Sequence, residues 1–216
     1  MPKSSQVKNC PPGYMEALKF VHAHGIYHRD IKPVNILLCR PFSSPSGFDA
    51  KMSDFGLAKI KEAAGGSSSA GVSVGTCAYM APEVLDNDGD PSDDEGAGAS
   101  GAAEGGVSRT DWFKVDVFAF GVVVYEIFAR REPFKGLSIV KIVKRVVMEE
   151  ERPGEIPASA SKSIREVIER AWKQKPSDRP HMVDINDVLL AEVDRVGGGS
   201  GGGGSSNGGT SLASYP

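Results

Sequence analysis

The chain has 216 residues, of which 40% are hydrophobic and 25% charged, with a formal net charge of −3. Once its Gly/Ser-rich end is set aside, that length holds one domain, and the mild negative charge gives no footprint for nucleic acid. Cys10, Cys39 and Cys77 are odd in number and unpatterned, which argues against a disulfide framework and predicts reduced thiols, in the cytoplasm or alternatively the nucleus.

Residues 1–13 form an N-terminal flank with Pro2, Pro11, Pro12 and Gly13 among polar residues. The flank lacks the basic start and apolar run of a signal peptide. Tyr14 to His24 is predicted as a helix, because Ala17, Leu18, Phe20 and Val21 make an apolar stripe at helical spacing. Gly25 is placed to end it. Next comes His28-Arg29-Asp30-Ile31-Lys32-Pro33-Val34-Asn35, then an apolar strand at Ile36–Cys39. A turn over 40–48 and a return strand at Ala50–Ser53 complete a hairpin that leads into Asp54-Phe55-Gly56.

Residues 61–74 are a polar Gly/Ser loop, and Gly75 to Glu83 follow with Ala81-Pro82-Glu83 at their end. Residues 86–109 have the composition of an acidic, disordered insert: Asp86, Asp88, Asp90, Asp93, Asp94 and Glu95 precede a Gly/Ala run too poor in apolar groups to offset the entropy of ordering. Asp116 to Ala129 is predicted as a helix with apolar residues nearly all round, hence central in the protein. Its uninterrupted apolar run is far short of the ~20 residues of a membrane span. Three more helices are expected at Leu137–Met148, Ser161–Lys173 and Met182–Val193, with a Gly/Ser-rich tail over 194–216. His22, His24 and His181 have no Cys or carboxylate partners at metal spacing, so zinc is not expected.

The stretch His28 to Asn35 fits H-R-D-x-x-x-x-N, Asp54-Phe55-Gly56 is D-F-G, and Ala81-Pro82-Glu83 is A-P-E, in that order. With these motifs the chain resembles the eukaryotic-type protein kinases over about residues 14–193. The order of its helices, the Trp172 context and the following Arg179-Pro180 are most similar to the tyrosine-kinase-like group of Ser/Thr kinases. The resemblance implies a protein-kinase-like fold of the C-terminal lobe only, mainly α, with a short β hairpin carrying the catalytic and metal loops. Nothing before Tyr14 could hold a glycine-rich phosphate loop and a Lys-bearing strand, so the small lobe is expected to be missing.

The resemblance also assigns roles. Asp30 would orient or accept the proton of a substrate hydroxyl, and Lys32 would reach the γ-phosphate of ATP. Asn35 and Asp54 would hold Mg²⁺, a hard cation suited to oxygen ligands. Leu37 would form the floor of the nucleotide site. Thr76 would hydrogen-bond Asp30 and Lys32, and Glu83 would pair with Arg179. Arg29 would capture a phosphate on the 61–74 loop, the alternative being a plain flexible loop. His28 and Phe55 would be packing residues, and Asp116 would accept hydrogen bonds from the backbone of the catalytic loop.

Two functional readings follow. One is a Ser/Thr protein kinase acting on protein hydroxyls. The other is a catalytically weak or inactive kinase-lobe fragment that serves as a binding or scaffold module, with a partner over its exposed upper face. Neither nucleic acid nor membrane is expected as a partner.

Overall fold

The computed structural model describes residues 12–38, 50–55, 59–60, 74–86 and 110–197. Apart from their end residues, the loop expected over 61–74 and the acidic insert expected over 86–109 lie outside the described residues, as do Cys10, Cys39 and nearly all of the two chain ends.

The architecture is mainly helical. In chain order the elements are α1 (Pro12–Ala23), β1 (Ile26–Tyr27), a single 3-10 turn (Pro33–Asn35), β2 (Ile36–Leu38), β3 (Ala50–Met52) and β4 (Lys59–Ile60), followed by α2 (Val74–Cys77), α3 (Pro82–Asp86), α4 (Trp112–Ala129), α5 (Ile139–Val143), α6 (Lys162–Ala171) and α7 (Met182–Gly197). The predicted hairpin is present: β2 and β3 pair antiparallel, with Ile36 opposite Met52, Leu37 opposite Lys51 and Leu38 opposite Ala50. A second antiparallel pair, β1 with β4, sets Ile26 opposite Ile60 and Tyr27 opposite Lys59. Two-residue strands leave too little alternating pattern to read from sequence.

Helix α4 is the axis of the fold. Val117, Phe118, Phe120, Val122, Val123, Val124 and Tyr125 on it are all essentially buried. Apolar residues around its whole circumference need neighbours on every side. Helix α6 lies against it, with Ile164, Val167, Ile168 and Ala171 buried. Gly121 permits that approach, because a Cβ there would come within 2.7 Å of Ala171 Cβ. Helix α1 packs on β3 and α7, burying Tyr14, Met15 and Leu18, and the Tyr14 ring stacks on Phe120 at 6.1 Å. Gly25 ends this region at φ +74, the left-handed geometry that glycine adopts without a Cβ penalty.

Several predicted boundaries move. The central helix starts at Trp112, four residues before Asp116, because Asp111 caps it by accepting from Phe113 N–H at 3.1 Å. In place of one helix over Leu137–Met148, α5 begins after Ser138 and its last turn, Lys144–Met148, is π-helical. Ser161 is the cap of α6 and not its first residue; its hydroxyl accepts from Ile164 N–H at 3.3 Å, and the helix ends at Ala171. Helix α7 continues past Val193 to Gly197, with Arg195 bonded back to Glu192 at 2.6 Å on its surface.

Candidate active site

The loop between β1 and β2 is fixed from beneath by one carboxylate. Asp116, buried on α4, accepts His28 N–H through Oδ2 at 2.7 Å and Arg29 N–H through Oδ1 at 2.8 Å. His22 on α1 donates its Nε2 proton to Oδ2 at 2.9 Å. Three donors thus offset the cost of burying this charge. His28 is buried behind the loop. Its Nδ1 accepts Asp30 N–H at 3.3 Å, so its Nε2 is the donor to Ser53 O at 3.1 Å. Phe55 lies 4.9 Å from the His28 ring yet keeps 43% of its surface exposed, so its packing is less complete than expected.

Arg29 sits in left-handed backbone geometry at φ +71, with its guanidinium 4.1 Å from the centre of the Trp112 ring. Trp112 is itself stacked on Tyr27 at 6.2 Å. A cation over an indole face is the best geometry for a cation–π contact. The loop is therefore held by α4 at two points, its backbone by Asp116 and its arginine by Trp112.

Around Asp30 the polar groups converge. Asn35 Nδ2 donates to Asp30 O at 2.8 Å and to Asp30 Oδ2 at 3.0 Å, and Lys32 Nζ lies 2.8 Å from the same Oδ2. Lys32 Nζ also donates to Thr76 Oγ1 at 3.1 Å. Lys32 thus joins the catalytic-type loop to the segment before Ala81. Because the amide nitrogen of Asn35 is committed to Asp30, its carbonyl oxygen is the atom suited to a cation. Asp54 follows β3 in left-handed geometry at φ +62, unusual for a residue other than glycine, and its side chain is exposed. Leu37, on the neighbouring strand, is 52% exposed. Among the described residues no three His, Cys, Asp or Glu side chains converge on one point.

The far end of the segment is anchored by Glu83 and Arg179. Two parallel bonds of 2.7 Å join them, and the Arg179 side chain is fully buried. The remaining Arg179 donors reach Lys173 O, Lys114 O and Gln174 O at 2.8, 2.9 and 3.0 Å, so all five N–H groups are used. Between these anchors Tyr79 donates its hydroxyl to Glu126 Oε2 at 2.6 Å. Burial is the main cause that raises the pKa of both groups above their usual values.

The profile of the protein kinase domain family matches residues 2–189. The chain belongs to the protein kinase family. The chain is 31% identical over 173 residues to the RGS domain-containing serine/threonine-protein kinase A of Dictyostelium discoideum, a match covering 80% of this chain and 12% of that protein. It is 34% identical over 171 residues to the serine/threonine-protein kinase Pkn1 of Myxococcus xanthus, covering 76% of this chain and 20% of the relative. A light-sensor protein kinase of Ceratodon purpureus is 33% identical over 168 residues, with 76% of this chain and 12% of that one covered. The chain thus spans a small part of the length of these relatives. Among its described helices none is long and apolar enough to cross a membrane.

The structure groups most of the residues expected from sequence: Asp30, Lys32, Asn35 and Thr76 in one hydrogen-bonded group, His28, Arg29 and Asp116 in a second, and Glu83 with Arg179 in a third. Sequence reasoning did not assign roles to His22, Lys114, Trp112 or Glu126. The Asp111-Trp112 start of α4 carried a capping signal that could have drawn attention to Trp112. His22 meets Asp116 across 94 positions and gives no local signal.

Proposed function

We propose that this chain is the large lobe of a serine/threonine protein kinase, which transfers the γ-phosphate of ATP to Ser or Thr hydroxyls of proteins. The observation that carries this reading is the Lys32 ammonium, which lies 2.8 Å from Asp30 Oδ2 and donates to Thr76 Oγ1 at 3.1 Å. The group sets a carboxylate acceptor, a cation and a hydroxyl at the point where an acceptor hydroxyl would enter. Phosphoryl transfer asks a protein mainly for positioning and charge neutralisation.

In this reading Asp30 orients the substrate hydroxyl and takes its proton. The hydroxyl oxygen bonds to the γ-phosphorus while the bond to the ADP oxygen breaks, and Lys32 offsets the charge on the transferred group. The carbonyl oxygen of Asn35 and the carboxylate of Asp54 fit a Mg²⁺ ion, which when bound neutralises phosphate charge. Leu37 supplies an apolar floor for the nucleotide base. We assign 14–193 to this lobe, with α7 carrying the folded boundary to Gly197, 61–74 to an activation loop, 86–109 to an insert and the remainder to the flanks. We place the chain in the tyrosine-kinase-like group and its site of action in the cytoplasm.

The alternative, a kinase-fold module that binds without turnover, is favoured by the half-exposed Leu37 and Leu38 on β2, an apolar surface fitted to a partner. Incubation with labelled ATP, Mg²⁺ and peptide libraries decides. Label on Ser and Thr, lost by at least ~10²-fold in Asp30→Ala, supports the kinase. Label mainly on Tyr would overturn the specificity, and ATP binding without transfer to any peptide would favour the module.

A further inference from the structure

The two residues that flank His28 rest on one indole. Tyr27, buried on β1, stacks on the Trp112 ring at 6.2 Å, and the Arg29 guanidinium lies 4.1 Å from the centre of the same ring. Phe113, next on α4, meets Tyr27 edge-on at 5.5 Å, and Asp111 fixes the start of the helix by accepting Phe113 N–H. Trp112 is therefore a half-buried ring mounted on a rigid element. Arg29 is where such support matters. It holds a left-handed φ of +71, a backbone state that costs energy in any residue with a Cβ. Asp30 comes next in the chain, so strain released at Arg29 would move the carboxylate at the centre of the site. Asp116 holds the backbone N–H of Arg29, and Trp112 holds its charged head. An indole attracts a cation through its quadrupole, and partial burial strengthens the contact. The ring needs neither ionisation nor modification to act.

Resting on the kinase reading above, we propose that Trp112 is a positioning residue for phosphoryl transfer: its ring sets Arg29, and through Arg29 the Asp30 loop, with no phosphate on the 61–74 segment. A phosphate is the other partner that suits a guanidinium. β4 pairs with Tyr27 through Lys59 and ends at Ile60, so that segment starts beside the strand that leads to Arg29. The indole, by contrast, is in place as soon as α4 has formed. The phosphate that the sequence assigns to Arg29 thereby becomes dispensable for setting the loop.

The test is hydrogen exchange at the His28 and Asp30 amides of the phosphatase-treated chain, with the buried middle of α4 as the control for global stability. Wild type should be protected in phosphate-free buffer, and inorganic phosphate should add nothing. Trp112→Leu keeps an apolar side chain without a ring, and exchange at Asp30 should rise about 10-fold. Trp112→Phe restores an aromatic face and should keep most of the protection. Arg29→Met should match Trp112→Leu, and the two together should be no worse than either, because both remove one contact. Should Trp112→Leu lose the fold, Arg29→Met alone decides. Wild-type exchange in Trp112→Leu or Arg29→Met, Phe no better than Leu, additive effects in the double variant, or a wild-type loop protected only when phosphate is added would each overturn the proposal. Transfer from labelled ATP is the second readout and should survive phosphatase treatment. Transfer abolished by the phosphatase would sink the proposal and leave the kinase standing. The expected exchange pattern with no transfer before or after treatment would sink the kinase reading and leave Trp112 as the residue that sets the loop.

Discussion

Lys114 and Arg179 each donate to the backbone carbonyl of the other: Lys114 Nζ to Arg179 O at 2.6 Å, and Arg179 Nη1 to Lys114 O at 2.9 Å. This double exchange joins the first turns of α4 to the loop before α7. It also places two buried cations close together. Burial, foremost, and the Arg179 charge hold the Lys114 ammonium below its usual range, while Asp111 and Asp184 oppose the shift. Glu83 is the carboxylate that offsets the Arg179 charge directly.

Glu83→Gln should therefore be severe. It keeps the shape and leaves the buried guanidinium uncompensated, at a cost of roughly 3–5 kcal/mol. Urea titration of both proteins measures it. A shift in stability under about 1 kcal/mol would mean that the pair is solvated and weak.

Asp116→Asn should loosen the loop that carries Asp30. The amide can accept from only one side, so His28 N–H, Arg29 N–H and His22 Nε2 cannot all remain paired. The expected loss is roughly 1–3 kcal/mol for each donor left buried and unpaired. Hydrogen exchange at the His28 and Arg29 amides is the direct readout, and protection equal to wild type would contradict the role assigned to Asp116.

Gly121→Ala should be destabilising through overpacking. The new Cβ would lie 2.7 Å from Ala171 Cβ, so α4 and α6 must separate, at about 1–3 kcal/mol. Adding Ala171→Gly should restore part of the loss, less the ~1 kcal/mol helix cost of glycine. A double variant no more stable than Gly121→Ala would show that the strain lies elsewhere.

Glu192 sets an acid limit. The Arg195 hydrogen bond, helped by Ser161 and Ser163 and opposed by burial, holds its carboxyl at about 2, below the usual 4.5. A depressed folded-state value stabilises the protein above the unfolded value, and this contribution is lost as pH falls from about 4.5 through about 2. Its size is at most ~3 kcal/mol. Glu192→Gln should flatten stability against pH in that window, and identical slopes for the two proteins would refute the assignment.

Much of the site was legible because its chemistry sits in short runs. Asp30, Lys32 and Asn35 lie within six positions, and the turn that brings them together is local. The pairing of Glu83 with Arg179 and the tether at Asp116 were reachable through the family resemblance alone, since no periodicity links residues that far apart. Helix existence was readable from apolar spacing, but helix starts were not. The α4 start depends on the Asp111 cap, where Trp112, Phe113 and Lys114 blur the apolar pattern. His22 looked like one more polar residue on an amphipathic helix, and only the packing of α1 reveals its partner.

The contact between Arg29 and Trp112 also gives the protein an optical reporter. The chain has two tryptophans. Trp172 is buried in the core beside Tyr125, whereas Trp112 lies under the guanidinium of the loop that carries Asp30. Indole emission responds to a charge a few ångströms from the ring. With Trp172→Phe removing the background, the colour of the remaining emission would follow the position of Arg29 with no label attached. Rearrangement of this loop, whether by phosphate, nucleotide or peptide, can then be timed in a stopped-flow cuvette.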